Sequence, residues 1–281
     1  MSSLSLSPAA RAFDAVAERF DERYGAWLSV SAQRRAVRAS LVRAFPPRAR
    51  VLEIGGGTGE DAVWLTEHGR EVLLTDVSPS MVRIAETKLR PYGAPQPIVV
   101  GAEGLAALAD ARDSARQPLL DGAFTNFAAL NCVHELAPVA AGLARLVRPG
   151  GKILLVIFGV CSPGEWLVQL VRRDVRAAFR RMSRGDVSAR LGGQHFLVRY
   201  HRGADVDRAF APWFAPVGRR GIGIFVPPSA AEPWISGHRR LLSTLEKLDR
   251  VVAGPLSFFG DHVLYELERT AVSSRPAGVN A

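Results

Sequence analysis

The 281 residues are 48% hydrophobic and 22% charged, a balance that can bury a core and excludes a disordered or fibrous chain. The longest uncharged apolar run, nine residues at 153–161, is well short of the roughly 20 that a membrane-spanning helix needs. A net charge of +9 invites polyanions, but only three of the 36 cationic residues are lysines, the mark of an arginine-rich composition as much as of a binding surface.

Residues 1–8 show no basic segment leading into an apolar stretch, so no secretory signal and a cytosolic location are expected. Over 11–45, apolar positions recur at helical spacing (Phe13, Ala17, Phe20, then Val30, Val37, Leu41, Phe45), which predicts two helices broken near Gly25. Residues 50–54 form a short apolar strand that runs into Gly55, and 61–67 a helix. A second strand over 71–75 ends at Asp76, and Ser78-Pro79 starts the next helix as N-cap and first turn. Residues 98–100, 122–126 and 152–158 read as strands three to five, with Pro149-Gly150-Gly151 as the turn before the fifth. Ser162 to Glu165 has capping-box spacing and opens a helix to about Met182. Residues 187–191 and 194–200 flank Gly192-Gly193 as a hairpin. A helix near 205–214 and a strand near 219–226 follow. Ser229 to Glu232 repeats the capping-box spacing before a helix to about Val252, and 262–268 is the last strand. Residues 271–281 read as a disordered tail. Strands alternating with helices imply a parallel sheet covered on both faces.

The chemistry concentrates in Val51-Leu-Glu-Ile-Gly-Gly-Gly-Thr-Gly59. Glycines 55, 57 and 59 let the backbone turn sharply and approach a ligand closely. A dinucleotide fingerprint would place glycine at 60, where Glu60 stands, and Glu60 with Asp61 at the helix start disfavours a phosphate. Glu53 precedes the glycines, and Asp76 ends the second strand, where a carboxylate can accept hydrogen bonds from ribose hydroxyls. Together they point to an adenosine with a cationic tail. The two cysteines, Cys132 and Cys161, lie apart with no Cys-x-x-Cys and no histidine cluster, which excludes a disulfide framework and a cysteine zinc site. No metal is expected.

Over about 45–160 the sequence resembles the class I S-adenosylmethionine-dependent methyltransferases, in particular the small-molecule type that includes ubiquinone/menaquinone C-methyltransferases. The glycine segment, Gly101-Ala-Glu-Gly-Leu105, Asp121-Gly-Ala-Phe-Thr-Asn126 and Leu146-Val-Arg-Pro-Gly-Gly-Lys152 carry the resemblance. It implies a Rossmann-like fold with a seven-stranded, mostly parallel sheet, an antiparallel last strand and helical and hairpin lid insertions. Residues 1–270 are then one domain, with a helical cover over 1–45, a cofactor core over 46–160 and lids over 160–203 and 227–260. The resemblance further implies S-adenosylmethionine as cofactor, with Glu53 near the methionine amino group, Gly55, Gly57 and Gly59 beneath the methionine and Asp76 on the ribose. Val77, Ala102, Glu103 and Asn126 complete that site. Gly101 stands where an aspartate often meets the adenine amino group, which leaves that contact to a backbone group.

The acceptor should meet Asn126, Phe127 and Asn131 beyond the fourth strand. His134 on that segment is the first candidate base, and His262, with Asp261 beside it, the second. Tyr24 and Trp27 are candidates to cover the cofactor. Residues 160–220 hold twelve arginines against five acids. Trp166, Leu170, Phe179 and Met182 lie on one side and Arg172, Arg173, Arg176 and Arg180 on the other, which reads as a solvated face over an apolar lid. The expected activity is in-line methyl transfer to a small, partly apolar or anionic acceptor. An RNA methyltransferase using the basic lid, peripheral contact with a membrane surface, and a cofactor-binding protein without catalysis are the alternatives.

Overall fold

The structure, a computed structural model, describes residues 6–271. Ser7 caps α1 (Pro8–Asp14), its hydroxyl accepting from the Ala10 amide at 3.1 Å. α2 (Phe20–Gly25) and α3 (Leu28–Ala44) follow, separated where Trp27 turns extended beyond Gly25. The core then alternates: β1 (Arg50–Ile54), α4 (Glu60–Glu67), β2 (Glu71–Asp76), α5 (Pro79–Leu89), β3 (Ile98–Val99), α6 (Leu105–Ser114), β4 (Leu120–Thr125), α7 (Leu136–Leu146) and β5 (Val147–Phe158). Ser78 caps α5 as expected, accepting from the Met81 amide. β5 starts earlier than the sequence suggests. Its first residue pairs with Leu120, the Pro149-Gly150-Gly151 segment bulges out, and pairing resumes at Gly122 and Lys152.

The lid segments depart most from expectation. The helix predicted to Met182 is two, α8 (Pro163–Val171) and α9 (Val175–Phe179), because Arg173 adopts φ +61° and Asp174 caps a new start on the Ala177 amide. Ser162 does cap α8, but the Glu165 side chain turns to Arg180 and Arg181 and does not complete a capping box. The hairpin forms as β6 (Asp186–Leu191) and β7 (Gln194–Arg199). α10 (Gly203–Phe210) leads into β8 (Phe214–Ile222), which begins earlier than predicted. As an edge strand paired only with β9, it lacks the alternation that would mark it. Ser229–Ala231 is a single 3-10 turn that Glu232 leaves in extended backbone before Pro233. α11 (Arg239–Val252) starts later, and β9 (His262–Arg269) closes the sheet. The predicted tail falls, apart from Ala271, outside the described residues.

The seven-stranded sheet has the order β3-β2-β1-β4-β5-β9-β8, with β9 antiparallel to both neighbours and the rest parallel. Each face is covered. Leu52, Ile54 and Ala123 pack with α6, α7 and α10, while Val51, Leu74 and Phe124 pack with α3, α4 and α5. Strand order reverses between β1 and β4, and a crevice outside the strand ends at such a point is where open α/β sheets bind ligands. The N-terminal cover is latched over it: Asp14 accepts from Ser78 Oγ and the Ser80 amide, and Thr58 donates to Asp21 at 2.6 Å.

Candidate active site

A cavity of about 720 Å³ lies at the carboxyl ends of β1, β2 and β4, bounded by α2, α3, the hairpin and the start of β9. That volume falls within the range of small-molecule and cofactor sites. The bend after β1 shapes its floor. Gly55 has φ +66°, and a Cβ there would sit 2.4 Å from that of Ala129, so only a bare backbone fits. Gly57 has φ +55° and nothing within 4 Å of a Cβ, so it faces the open space of the cavity. Gly59 is not among the lining residues; it starts α4 and lies against Ala85.

Glu53 is 2% exposed and lines the cavity, and its Oε2 has no hydrogen-bond partner. Burial first, and then the neighbouring Asp61, hold its carboxyl well above the usual carboxylate range against the pull of Arg34 and Arg38. A buried carboxylate with an open oxygen is a place for a cation. Asp76 accepts from the Gly57 amide through Oδ2 and the Ser78 amide through Oδ1, both at 2.9 Å. Burial raises its pKa, and these amides, with that of Val77, offset only part of the rise. Two amides leave part of its acceptor capacity free. Val77, Ala102, Glu103 and Asn126 also line the cavity, Asn126 donating to Asp61 Oδ2 at 2.7 Å.

The acids at the start of α4 do not stand free as the sequence suggests. Asp61 is buried against Arg38 at 2.7 Å and Arg34 at 3.3 Å, and Glu60 pairs with Lys88. Both arginines come from α3, at i and i+4, a spacing that puts them on one helix face. Their role is invisible until α3 is laid over the glycine bend. Among the described residues, Glu53 is then left at the bend without an ion pair.

The far end of the cavity gathers a second group. His262 Nδ1 lies 3.3 Å from Asp261 Oδ2, and its ring stacks on Phe158 with centroids 4.9 Å apart. Among the described residues, no hydrogen-bond partner meets its Nε2. Asp261 is held by Arg181 at 2.7 Å and by Gln33 Nε2 at 3.1 Å. Burial would raise the Asp261 carboxyl, but Arg181 and His262 overcome this and hold it far below the carboxylate range. Arg181, 4% exposed, also reaches Glu165 and the Asp261 carbonyl. Sequence reasoning passed over Gln33 and Arg181, whose partner lies 228 and 80 positions away respectively.

His134 does not join this group. After β4 the chain turns through Phe127 and Ala128, both at positive φ, and a short 3-10 turn. That path leaves His134 outside the lining, half exposed and 3.1 Å from Asp186. Asn131, expected to meet the acceptor, instead holds the Phe158 amide and the Arg199 carbonyl. Phe127, Tyr24 and Trp27 do line the cavity. Burial, with Asp76 and Glu103 nearby, pushes the Cys132 thiol up to about 12, so this cavity-lining cysteine is not a thiolate nucleophile at neutral pH. Among the described residues, no three His, Cys, Asp or Glu side chains gather to hold a metal.

Residues 51–151, which contain the glycine bend and Asp76, match the family described as methyltransferase domain. Over that segment the chain is similar to methyltransferase domains. The chain is 27% identical over 256 residues to the biotin biosynthesis bifunctional protein BioCD of Bordetella avium, across 86% of this chain and 48% of that protein. It is 32% identical over 150 residues to demethylmenaquinone methyltransferase of Beutenbergia cavernae, across 52% of this chain and 56% of that one. The chain thus spans about half the length of the curated relatives it matches. Among solved structures, the methyltransferase in complex with the Trm112 activator of Haloferax volcanii superimposes with a TM-score of 0.56 at 15% identity, over 95% of this chain and 99% of that one. The likeness of fold thus extends beyond residues 51–151.

Proposed function

We propose that the protein transfers a methyl group from S-adenosylmethionine to a small acceptor with apolar and anionic parts. The observation that carries this reading is Glu53, a buried carboxylate with an unpartnered oxygen at a glycine bend, with Asp76 beyond it. A cofactor with an ammonium-bearing tail and a ribose fits that pair of acids, and a pyrophosphate does not. Glu53 would hold the amino group, Gly55 and Gly57 leave room beneath the tail, and Asp76 takes the ribose hydroxyls. Arg34, one-fifth exposed and lining the cavity, stands on the same side to receive the tail's carboxylate. Val77, Ala102 and Glu103 flank the base, and Asn126 fixes the Asp61 cluster.

When bound, the cofactor supplies an electrophilic methyl group on a sulfonium. The chain's own work is then alignment and proton removal. Enclosure by the N-terminal cover and the lids fixes the acceptor and excludes water, and orientation of this kind is worth about 7–11 kcal/mol of barrier. His262 is the base: Asp261 faces its Nδ1, which leaves Nε2 to take the acceptor's proton, a contribution of about 10² to 10⁴-fold. Asp261, kept ionised by Arg181, stabilises the imidazolium that results. The N-terminal helices, core and lids form one working unit, supported by the Asp14, Asp21 and Arg181 contacts that tie cover and lid to the sheet. The relative named for demethylmenaquinone supports a small organic acceptor.

Calorimetry with S-adenosylmethionine, S-adenosylhomocysteine and NADP tests the cofactor, and formation of S-adenosylhomocysteine from a fractionated extract tests the transfer. Binding of both sulfur compounds and not of NADP is expected. Binding of NADP alone would overturn the reading.

A further inference from the structure

The helix α8 is built inside out. Its polar residues Glu165 and Gln169 are buried, at 2% and 8% exposure, and Glu165 faces the cavity and takes Arg180 and Arg181. Trp166 and Val168 are half-buried, but the rest of its apolar residues point away. Leu167 is 66% exposed, Leu170 45% and Val171 76%, and Val175 at the start of α9 continues the stripe at 60%. The solvated face thus carries apolar side chains as well as arginines. An exposed apolar stripe on a helix whose inner face is satisfied by ion pairs has no core left to join.

The charge around the stripe says what covers it. Arg173 and Arg176 are exposed, and among the described residues neither meets an acidic side chain. Arg172 spends itself on the Ala230 carbonyl, and Asp174 on the cap of α9. Apolar side chains flanked by unpaired arginines are the signature of a helix that lies in a membrane interface, with its apolar side in the acyl boundary and its cations among anionic headgroups. We infer that the α8–α9 lid docks the protein on an anionic lipid surface. The same segment carries Glu165, Arg180 and Arg181 on the cavity wall, so docking would bring the wall of the acceptor end to the membrane. No helix among the described residues is long and apolar enough to cross a membrane, so the contact is peripheral.

Cosedimentation with vesicles tests this. Phosphatidylcholine vesicles containing phosphatidylglycerol should retain the protein about tenfold better than phosphatidylcholine alone, and added salt should weaken the binding. Leu167→Glu/Val171→Glu and Arg173→Glu/Arg176→Glu should each lose that binding while keeping the wild-type midpoint of denaturant unfolding, which serves as the control for folding. Equal sedimentation with and without vesicles would overturn the inference. So would a dimer in light scattering that Leu167→Glu dissolves, because a second copy would then be what covers the stripe. The readout uses vesicles alone, so its failure leaves the methyl-transfer reading standing, and failed turnover leaves this one standing.

Discussion

The two ends of the cavity are built by different means. The glycine end is made by consecutive residues: one strand, its bend and the end of the next strand bring Glu53, Gly55, Gly57 and Asp76 together within 24 positions of sequence. The histidine end is assembled from α3, the lid and β9, through bonds such as Gln33 to Asp261 and Arg181 to Asp261. A site made locally can be read as a motif. A site made by long-range packing leaves no contiguous trace in the sequence.

The comparison can be broken at either end. The largest effect is expected at the histidine end, where His262→Ala should lower turnover about 10² to 10⁴-fold with cofactor affinity unchanged, read by steady-state kinetics beside calorimetry. Full activity would remove the histidine base. Arg181→Met leaves Asp261 buried without its arginine and Glu165 with Arg180 alone, and should cost about 3–5 kcal/mol in denaturant unfolding. Adding Asp261→Asn should recover part of that stability while turnover stays low. At the glycine end, Glu53→Gln should weaken S-adenosylhomocysteine about tenfold to a hundredfold, the worth of a charge-assisted hydrogen bond. Asp76→Ala should weaken it about tenfold in the same titration, through one lost ribose contact. Smallest is Gly57→Ala, at about 1–2 kcal/mol of backbone strain in thermal or denaturant melts.

The Glu53 carboxyl gives the glycine end a pH signature. Its folded pKa lies above the ordinary 4.5, so its contribution to stability is full below 4.5 and is lost as pH rises through the raised value. Cation binding runs the other way, because only the ionised carboxylate attracts an ammonium. Cofactor affinity should rise with pH across that range, and binding below it should release a proton. A flat profile in wild type, matching Glu53→Gln, would remove this carboxylate from the binding step.

The order of elements through β5 and the glycine end were legible in the sequence. A parallel sheet covered on both faces writes its strands as short apolar runs, and Ser78-Pro79 marks its helix by capping chemistry. The lid was legible only in part. The hairpin announced itself through Gly192-Gly193, but the break at Arg173 and Asp174 is a local turn inside a helical pattern, and Ser229 and Glu232 kept capping-box spacing although Glu232 instead accepts from Ser29 and Ser236. His134 looked like a base because it follows β4; two residues at positive φ turned the chain outward before reaching it. Nothing near Arg181 in sequence says that it belongs to Asp261, and the inverted burial of α8 cannot be seen in periodicity, which shows two faces and not which one points in.

Glu53 as counterion to a cationic tail is tested most directly by a cycle of two ligands and two proteins. S-adenosylhomocysteine and its analogue lacking the amino group are titrated into wild type and into Glu53→Gln. Wild type should lose about tenfold to a hundredfold in affinity when the amino group is removed, while Glu53→Gln should lose little. An equal loss in both proteins would show that the ammonium is held elsewhere.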